Sequence, residues 1–256
     1  MLKARDFFRG VPSSLTSTLG LWRGTSVIKE NVGRAPEGAL LKLYDMEGCP
    51  FCRLAREALT ELDLDAEIIP VAKGDEKVRA ELKALGGKVQ MPFLVDANTG
   101  QEMYESFDIV NYLYAQYGNG KQRSQLTHSA ALLSSMLTSA SRLNNGITYS
   151  GLKKPEQPLE LYSFESSPFS RPVRERLTEL GIPYILRNLG KQQRSDMGPP
   201  EFRLTTKPYV PVPGSKRDAM NKRSGKVQVP YLVDSNTGEE MFESWDIIEY
   251  LDKTYG

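Results

Sequence analysis

The sequence predicts an α/β protein built from two copies of one unit, and three observations carry that reading. The stretch "GKVQMPFLVDANTGQEMYESFDIVNYLYAQYG" (Gly87–Gly118) returns without gaps as "GKVQVPYLVDSNTGEEMFESWDIIEYLDKTYG" (Gly225–Gly256). "GCPFCRLAREALTEL" (Gly48–Leu62) returns 118 positions later as "SSPFSRPVRERLTEL" (Ser166–Leu180), with both cysteines replaced by serines. In each copy, short apolar runs alternate with segments of helical spacing. A chain of 256 residues accommodates two small cores more comfortably than one.

The elements follow in order. "LLKLY" (40–44) and "LELYS" (159–163) read as first strands. Leu54, Ala55, Ala58, Leu59 and Leu62 then recur at helical spacing, as do Val173, Leu177 and Leu180. Pro172 fits only in a first helical turn, so the second of these helices starts near Ser170 or kinks there. "AEIIPV" and "YILRNL" are second strands, followed by a helical or loop segment. "MPFLVD" and "VPYLVD" are third strands, and the "NTG" after each is a hairpin turn into "QEMYE" and "EEMFE". Last helices cover 106–117 and 244–255. The order is β-α-β-α-β-β-α, with the first two strands parallel and the hairpin antiparallel.

This divides the chain into a helical lead-in (1–37), a first domain (38–118), a helical linker (119–157) and a second domain (158–256). The repeat offset grows from 118 to 138, which places a Pro-rich, basic insertion at 191–224. It carries Arg194, Arg203, Lys207, Lys216, Arg217, Lys222 and Arg223 and reads as a solvated loop, or else as a binding surface. A fainter match relates "TSTLGLWRG" (16–24) to "TSASRLNNG" (138–146). It makes the lead-in part of the repeat and so part of the mature protein. Lys3, Arg5, Arg9 and the nearby serines and threonines also have the composition of an organelle transit peptide.

Composition removes several function classes. A net charge of +1 favours neither nucleic acid nor an anionic membrane, and no apolar stretch is long enough to span a bilayer. Two cysteines are no disulfide framework. They read as a redox or metal pair in a reducing, cytoplasmic compartment, organelle targeting aside. His128 is the only histidine, so one chain cannot complete a usual zinc site or a Ser-His triad, and no metal is expected. His128 itself reads as an ordinary surface or helix residue.

Cys49 sits where the first strand gives way to a helix, where unpaired N–H groups and the helix dipole stabilise a thiolate. It is the candidate nucleophile. Cys52, one turn on, is the resolving thiol, and Pro50 suits the first helical position. The plainer alternative is a pair of structural thiols. Gln90-Met91-Pro92 and Gln228-Val229-Pro230 open the third strands, and a cis X-Pro bond there would turn the preceding N–H and C=O towards a bound peptide. Glu105-Ser106 and Glu243-Ser244 open the last helices. A serine N-cap with free N–H groups suits a carboxylate, and the adjacent Glu suits an ammonium group.

These motifs resemble thioredoxin-like domains of the glutaredoxin and glutathione S-transferase N-terminal type, over roughly Leu40–Gly118 and Leu159–Gly256. Cys49-Pro50-Phe51-Cys52 is similar to a dithiol glutaredoxin motif, and "LYSFESSPFSRPVRERLTELGIPY" to the start of serine-type transferases. The resemblance implies two tandem thioredoxin-like domains, each with a mixed four-stranded sheet, joined by the helical linker. It implies glutathione as the cofactor. The cysteinyl backbone would pair with Met91 or Val229, and the γ-glutamyl end with Glu105-Ser106 or Glu243-Ser244. Phe51, Gln90 and Pro92 would line the first site, and Phe169, Gln228 and Pro230 the second. Ser167 takes the catalytic position of the second copy. Transferases of this type add an all-helical domain after this core, and none follows within this sequence. The expected function is therefore glutathione-dependent thiol-disulfide exchange at Cys49, with a thiol or disulfide substrate and a redox-inactive second copy. The alternatives are a transferase or isomerase using Ser167 or Cys49, and a non-enzymatic glutathione or iron–sulfur binding module. Two such domains in one chain can pack as a pseudo-dimer.

Overall fold

Each repeat folds as β-α-β-α-β-β-α, and the two sheets fuse edge to edge. The computed structural model describes residues 13–33, 38–142, 145–198, 203, 205 and 207–256. The transit-peptide reading of Lys3, Arg5 and Arg9 lies outside the described residues. A lead-in helix α1 (13–19) precedes β1 (Leu41–Asp45), α2 (Pro50–Glu61), β2 (Ala66–Pro70), α3 (Glu76–Gly86), β3 (Phe93–Asp96), β4 (Gln101–Met103) and α4 (Ser106–Tyr117). Helix α5 (Gln125–Ala140) leads into β5 (Leu159–Ser163), α6 (Ser170–Glu179), β6 (Tyr184–Asn188), α7 (Lys216–Ser224), β7 (Tyr231–Asp234), β8 (Glu239–Phe242) and α8 (Ser244–Tyr255). Helix α6 does begin at Ser170, with Pro172 in its first turn. The stretch 191–224 is not simply a loop. It contains a 3-10 turn at Arg194–Asp196 and α7, which Ser215 caps by accepting from the Asp218 N–H.

The strand order is β4-β3-β1-β2-β6-β5-β7-β8. Strands β1 and β2 are parallel, as are β5 and β6, and the hairpins are antiparallel. Buried residues alternate along β1, β2, β5 and β6, and the helix faces Leu54–Leu59 and Val173–Leu177 close over them in one shared core. The halves meet where β2 pairs antiparallel with β6. Ala66 faces Leu186 and Ile68 faces Tyr184. Residue 66 corresponds to 184 and residue 68 to 186, so the register is self-complementary about a pseudo-twofold axis.

Four charged residues cross that axis. Arg56 donates to Glu165 at 2.9 Å, and Arg174 donates to Glu47 through two bonds of 3.0 Å. Arg56 corresponds to Arg174 and Glu47 to Glu165, so the crossing is reciprocal. Arg174 also lies 3.3 Å from Glu165, and Arg56 lies 3.1 Å from Glu47. None of these side chains is more than 3% exposed. Burial pushes the Glu165 carboxyl up, but Arg174, Arg56 and Arg53 outweigh it and hold its pKa down to about 2. Symmetry breaks beside the thiols. Asp45 accepts two bonds from Arg56, at 2.7 and 2.8 Å, where its counterpart Ser163 accepts one from Arg174 at 2.9 Å.

The lead-ins also cross. The segment before the first copy lies on the second, where Ser166 N–H donates to Gly24 O and the backbone of Lys191 pairs with Thr25 and Val27. The segment before the second copy lies on the first in the same way, through Gly48 N–H to Gly146 O and Lys73 to Ile147 and Tyr149. Gly24 and Gly146 have φ of +67° and +68°. A Cβ on Gly24 would sit 2.8 Å from Cβ of Glu165, and one on Gly146 would sit 3.0 Å from Cβ of Glu47. Both positions therefore exclude a side chain, and both lie against the glutamates of the crossed pairs. Helix α5 packs on α2, with Ser135 Oγ donating to Pro50 O at 2.8 Å. Helix α1 occupies the related place on α6, where Arg171 donates to Ser13 O at 2.9 Å.

Removing one member of a buried ion network strands the charges left behind. Arg174→Met is expected to destabilise the fold by ~3–5 kcal/mol, read from the midpoint of urea unfolding at constant slope. A loss below ~1 kcal/mol, the range of a surface ion pair, would mean that the crossed pairs do not hold the halves together.

Candidate functional site

The strand-to-helix turn after β1 places Cys49 as the N-cap of α2, in extended conformation, with Pro50 at the first helical position. Cys49 is 7% exposed and Cys52 wholly buried. The two thiols shift in opposite directions. The Cys52 thiol donates to the Cys49 sulfur. With the backbone N–H groups of Cys52 and Phe51, that bond holds the Cys49 thiol below its ordinary pKa, against burial and Asp45. Burial pushes Cys52 well above its ordinary value, as does its bond to Cys49. Phe51 stands exposed at the lip. The Asp45 carboxyl is pushed up to about 6 by burial, against the pull of Arg56.

The same framework recurs in both copies. Met91-Pro92 and Val229-Pro230 are cis. Glu105 and Glu243 take φ of 66° and 71°, a conformation that L side chains rarely adopt and that costs on the order of 1–3 kcal/mol. Gln90 holds Glu105 through a 2.6 Å bond, and Gln228 holds Glu243 at 2.7 Å. Behind them Asp96 accepts from Tyr112 and Tyr117, and Asp234 from Tyr250 and Tyr255, fixing each last helix to its hairpin turn. The two glutamates, not Ser106 and Ser244, are the N-caps. The serines are the first helical residues, so their hydroxyls are released from capping.

Those hydroxyls go to different partners. Ser244 Oγ donates to Phe169 O at 2.6 Å, within its own copy. Ser106 Oγ lies 3.2 Å from His128 Nε2, on α5. His128 is therefore not a surface residue. It is 4% exposed, packs edge-on against Phe107, and burial lowers its pKa, helped by Arg123.

At the second copy a cavity of about 630 Å³ opens. Ser167, Phe169, Gln228, Val229, Pro230, Glu243 and Ser244 all line it, so the residues expected at the second site converge on one space. Ser167 is 1% exposed, and its oxygen accepts from Ser170 N–H at 3.2 Å and Ser170 Oγ at 2.9 Å. Its own proton is left to donate. The first-copy residues Phe51, Gln90, Met91, Pro92, Glu105 and Ser106 keep the same backbone framework around Cys49. The opposite wall of the cavity was not foreseen. Trp22, Thr25 and Ser26 come from the lead-in of the other copy, and Lys191, Met197, Gly198 and Arg203 from the insertion. The faint lead-in repeat was the available signal, but it does not reveal that the segment crosses over.

Two stretches of the chain, residues 43–122 and 161–256, match one family, described as glutathione S-transferase, N-terminal domain. No curated protein matches the chain significantly. Among the described residues no helix is long and apolar enough to cross a membrane.

The opposed thiol shifts give a direct expectation. Iodoacetamide should label native protein at Cys49 alone, with a pH midpoint below the ~8.5 of a free thiol. Cys52 should react only after unfolding. Peptide mass mapping reads both, and equal labelling of the two would contradict the asymmetry.

Proposed function

Because the chain belongs, in both its halves, to the glutathione S-transferase N-terminal domain family, we propose that it catalyses glutathione-linked thiol-disulfide exchange at Cys49. The opposite displacement of the Cys49 and Cys52 acidities carries this reading. A thiolate is needed for attack, and a thiol kept protonated does not compete for it. The Cys49 thiolate attacks one sulfur of a substrate disulfide. A Cys49 mixed disulfide forms and the other half leaves as thiolate. Cys52 then loses its proton and attacks the Cys49 sulfur, expelling the second half and closing the Cys49–Cys52 disulfide. Two electrons pass from the pair to the substrate, and two glutathione thiols return them.

The second copy is read as a glutathione-binding site without redox turnover. The cavity supports this, since Val229 offers a strand edge beside its cis-proline, and Glu243 with Ser244 opens a helix N-terminus onto it. Ser167 would donate its free proton to the bound thiolate. A serine hydroxyl cannot form a disulfide, so this site holds glutathione and does not oxidise it.

Intact mass after equilibration with oxidised glutathione tests the first reading. Wild type should lose two hydrogens, and Cys52→Ser should gain a single glutathione. No change in either protein would remove the redox enzyme. For the second reading, Glu243→Ala in a Cys49→Ser background should weaken glutathione binding roughly tenfold by isothermal titration, the loss of one hydrogen bond to a charged group. Unchanged affinity would place the ligand elsewhere.

A further inference from the structure

The cavity at the second copy carries more positive charge than the glutathione reading uses. Lys191, Arg203 and Arg217 all line it, with Glu243 as the one carboxylate among the described residues, and Glu243 is already held by Gln228. Arg217 has an acidic partner, Asp196, at 3.3 Å. Lys191 spends its ammonium on the carbonyls of Asp196 and Gly198. Arg203 makes no ion pair among the described residues. Its guanidinium lies 3.6 Å over the Tyr209 ring, Nη2 donates to Val227 O, and Nη1 is buried without a hydrogen-bond partner among those residues. Burial, then Arg217 and Arg203, lower the Lys191 ammonium to about 7. Its counterpart in the first copy, Lys73, is exposed. Lys191 is thus half-buried, with an arginine of the insertion beside it.

Trp22, Phe164, Phe169, Met197, Val227 and Val229 give the same wall an apolar part. A half-buried positive excess beside an apolar surface is costly without counter-charge, and a ligand that combines an anion with an apolar body satisfies both parts. We propose that the insertion and the crossed lead-in build a binding site for an apolar carboxylate, its acid group held by Arg203 and Lys191 and its hydrocarbon body lying against Trp22 and Met197. This shares the cavity assigned to glutathione above but rests on the cations and apolar wall, not on Glu243 and Ser244.

The test is isothermal titration of the full chain with octanoate and, separately, with octanamide, which has the same body without the charge. Octanoate should bind at least roughly tenfold more tightly, as expected for charge-assisted hydrogen bonds in a buried site. Arg203→Met should remove that preference and Arg203→Lys should retain part of it. Equal affinity for acid and amide, or no binding of octanoate, overturns the proposal without any variant having to fold. Glutathione titrated into the same proteins keeps the readings apart. Binding that Glu243→Ala weakens and Arg203→Met leaves intact supports two separate sets of contacts. If Arg203→Met weakens glutathione tenfold while the acid shows no advantage over the amide, the cations serve the peptide's own carboxylates and the proposal fails.

Discussion

Arg56 and Arg174 each leave their own half of the chain to meet a carboxylate of the other, and they do so where water is excluded. In the packed chain each arginine meets carboxylates of both copies, and losing one partner would leave a buried charge with part of its hydrogen bonding missing, which is costly in a low-dielectric interior. Hydrophobic burial supplies most of the driving force for the shared core, but it is not directional. The crossed pairs are directional, and with the β2–β6 register they fix one arrangement of the halves. Cys49 and Ser167, which lie just ahead of α2 and α6, each come seven residues before these arginines. The site geometry is therefore tied to the interface.

The two sites differ less in their framework than in what covers it. Cis-prolines, strained glutamates and tyrosine-bound aspartates are common to both. In the first copy α5 lies across α2, and His128 occupies the hydroxyl of Ser106. In the second, residues of the crossed lead-in and of the insertion line a cavity. Exchange of both cysteines for serines coincides with a different enclosure, so the two copies differ in their walls as well as in their thiols.

Much of this was legible in the sequence. The strands, helices and repeat followed from apolar spacing and direct comparison, because local periodicity reports which face of an element is buried. The site residues of the second copy were named from motifs and converge on one cavity. The interface was also written there without being read. Glu47, Arg53, Arg56 and Glu57 recur as Glu165, Arg171, Arg174 and Glu175, and charges kept in both copies beside a buried helix face signal pairing. Crossing of the lead-ins was out of reach, since a repeat shows that two segments are equivalent but not which copy each one touches. The same limit hid His128, whose partner lies 22 residues earlier, and Lys191, which sits between the insertion and the crossed lead-in.

Asp45 and Ser163 occupy related positions and do unlike work. In an association of two identical chains, every change of residue appears on both sides of the axis. An aspartate at this place would appear twice, giving the two arginines four acidic neighbours in all. Joining the copies in one polypeptide removes that duplication. One side can keep the extra acid next to its thiols while the other replaces it with a hydroxyl, and each change is felt once. Covalent fusion thus turns a symmetric scaffold into one whose two pockets are free to diverge in chemistry while their common frame stays fixed.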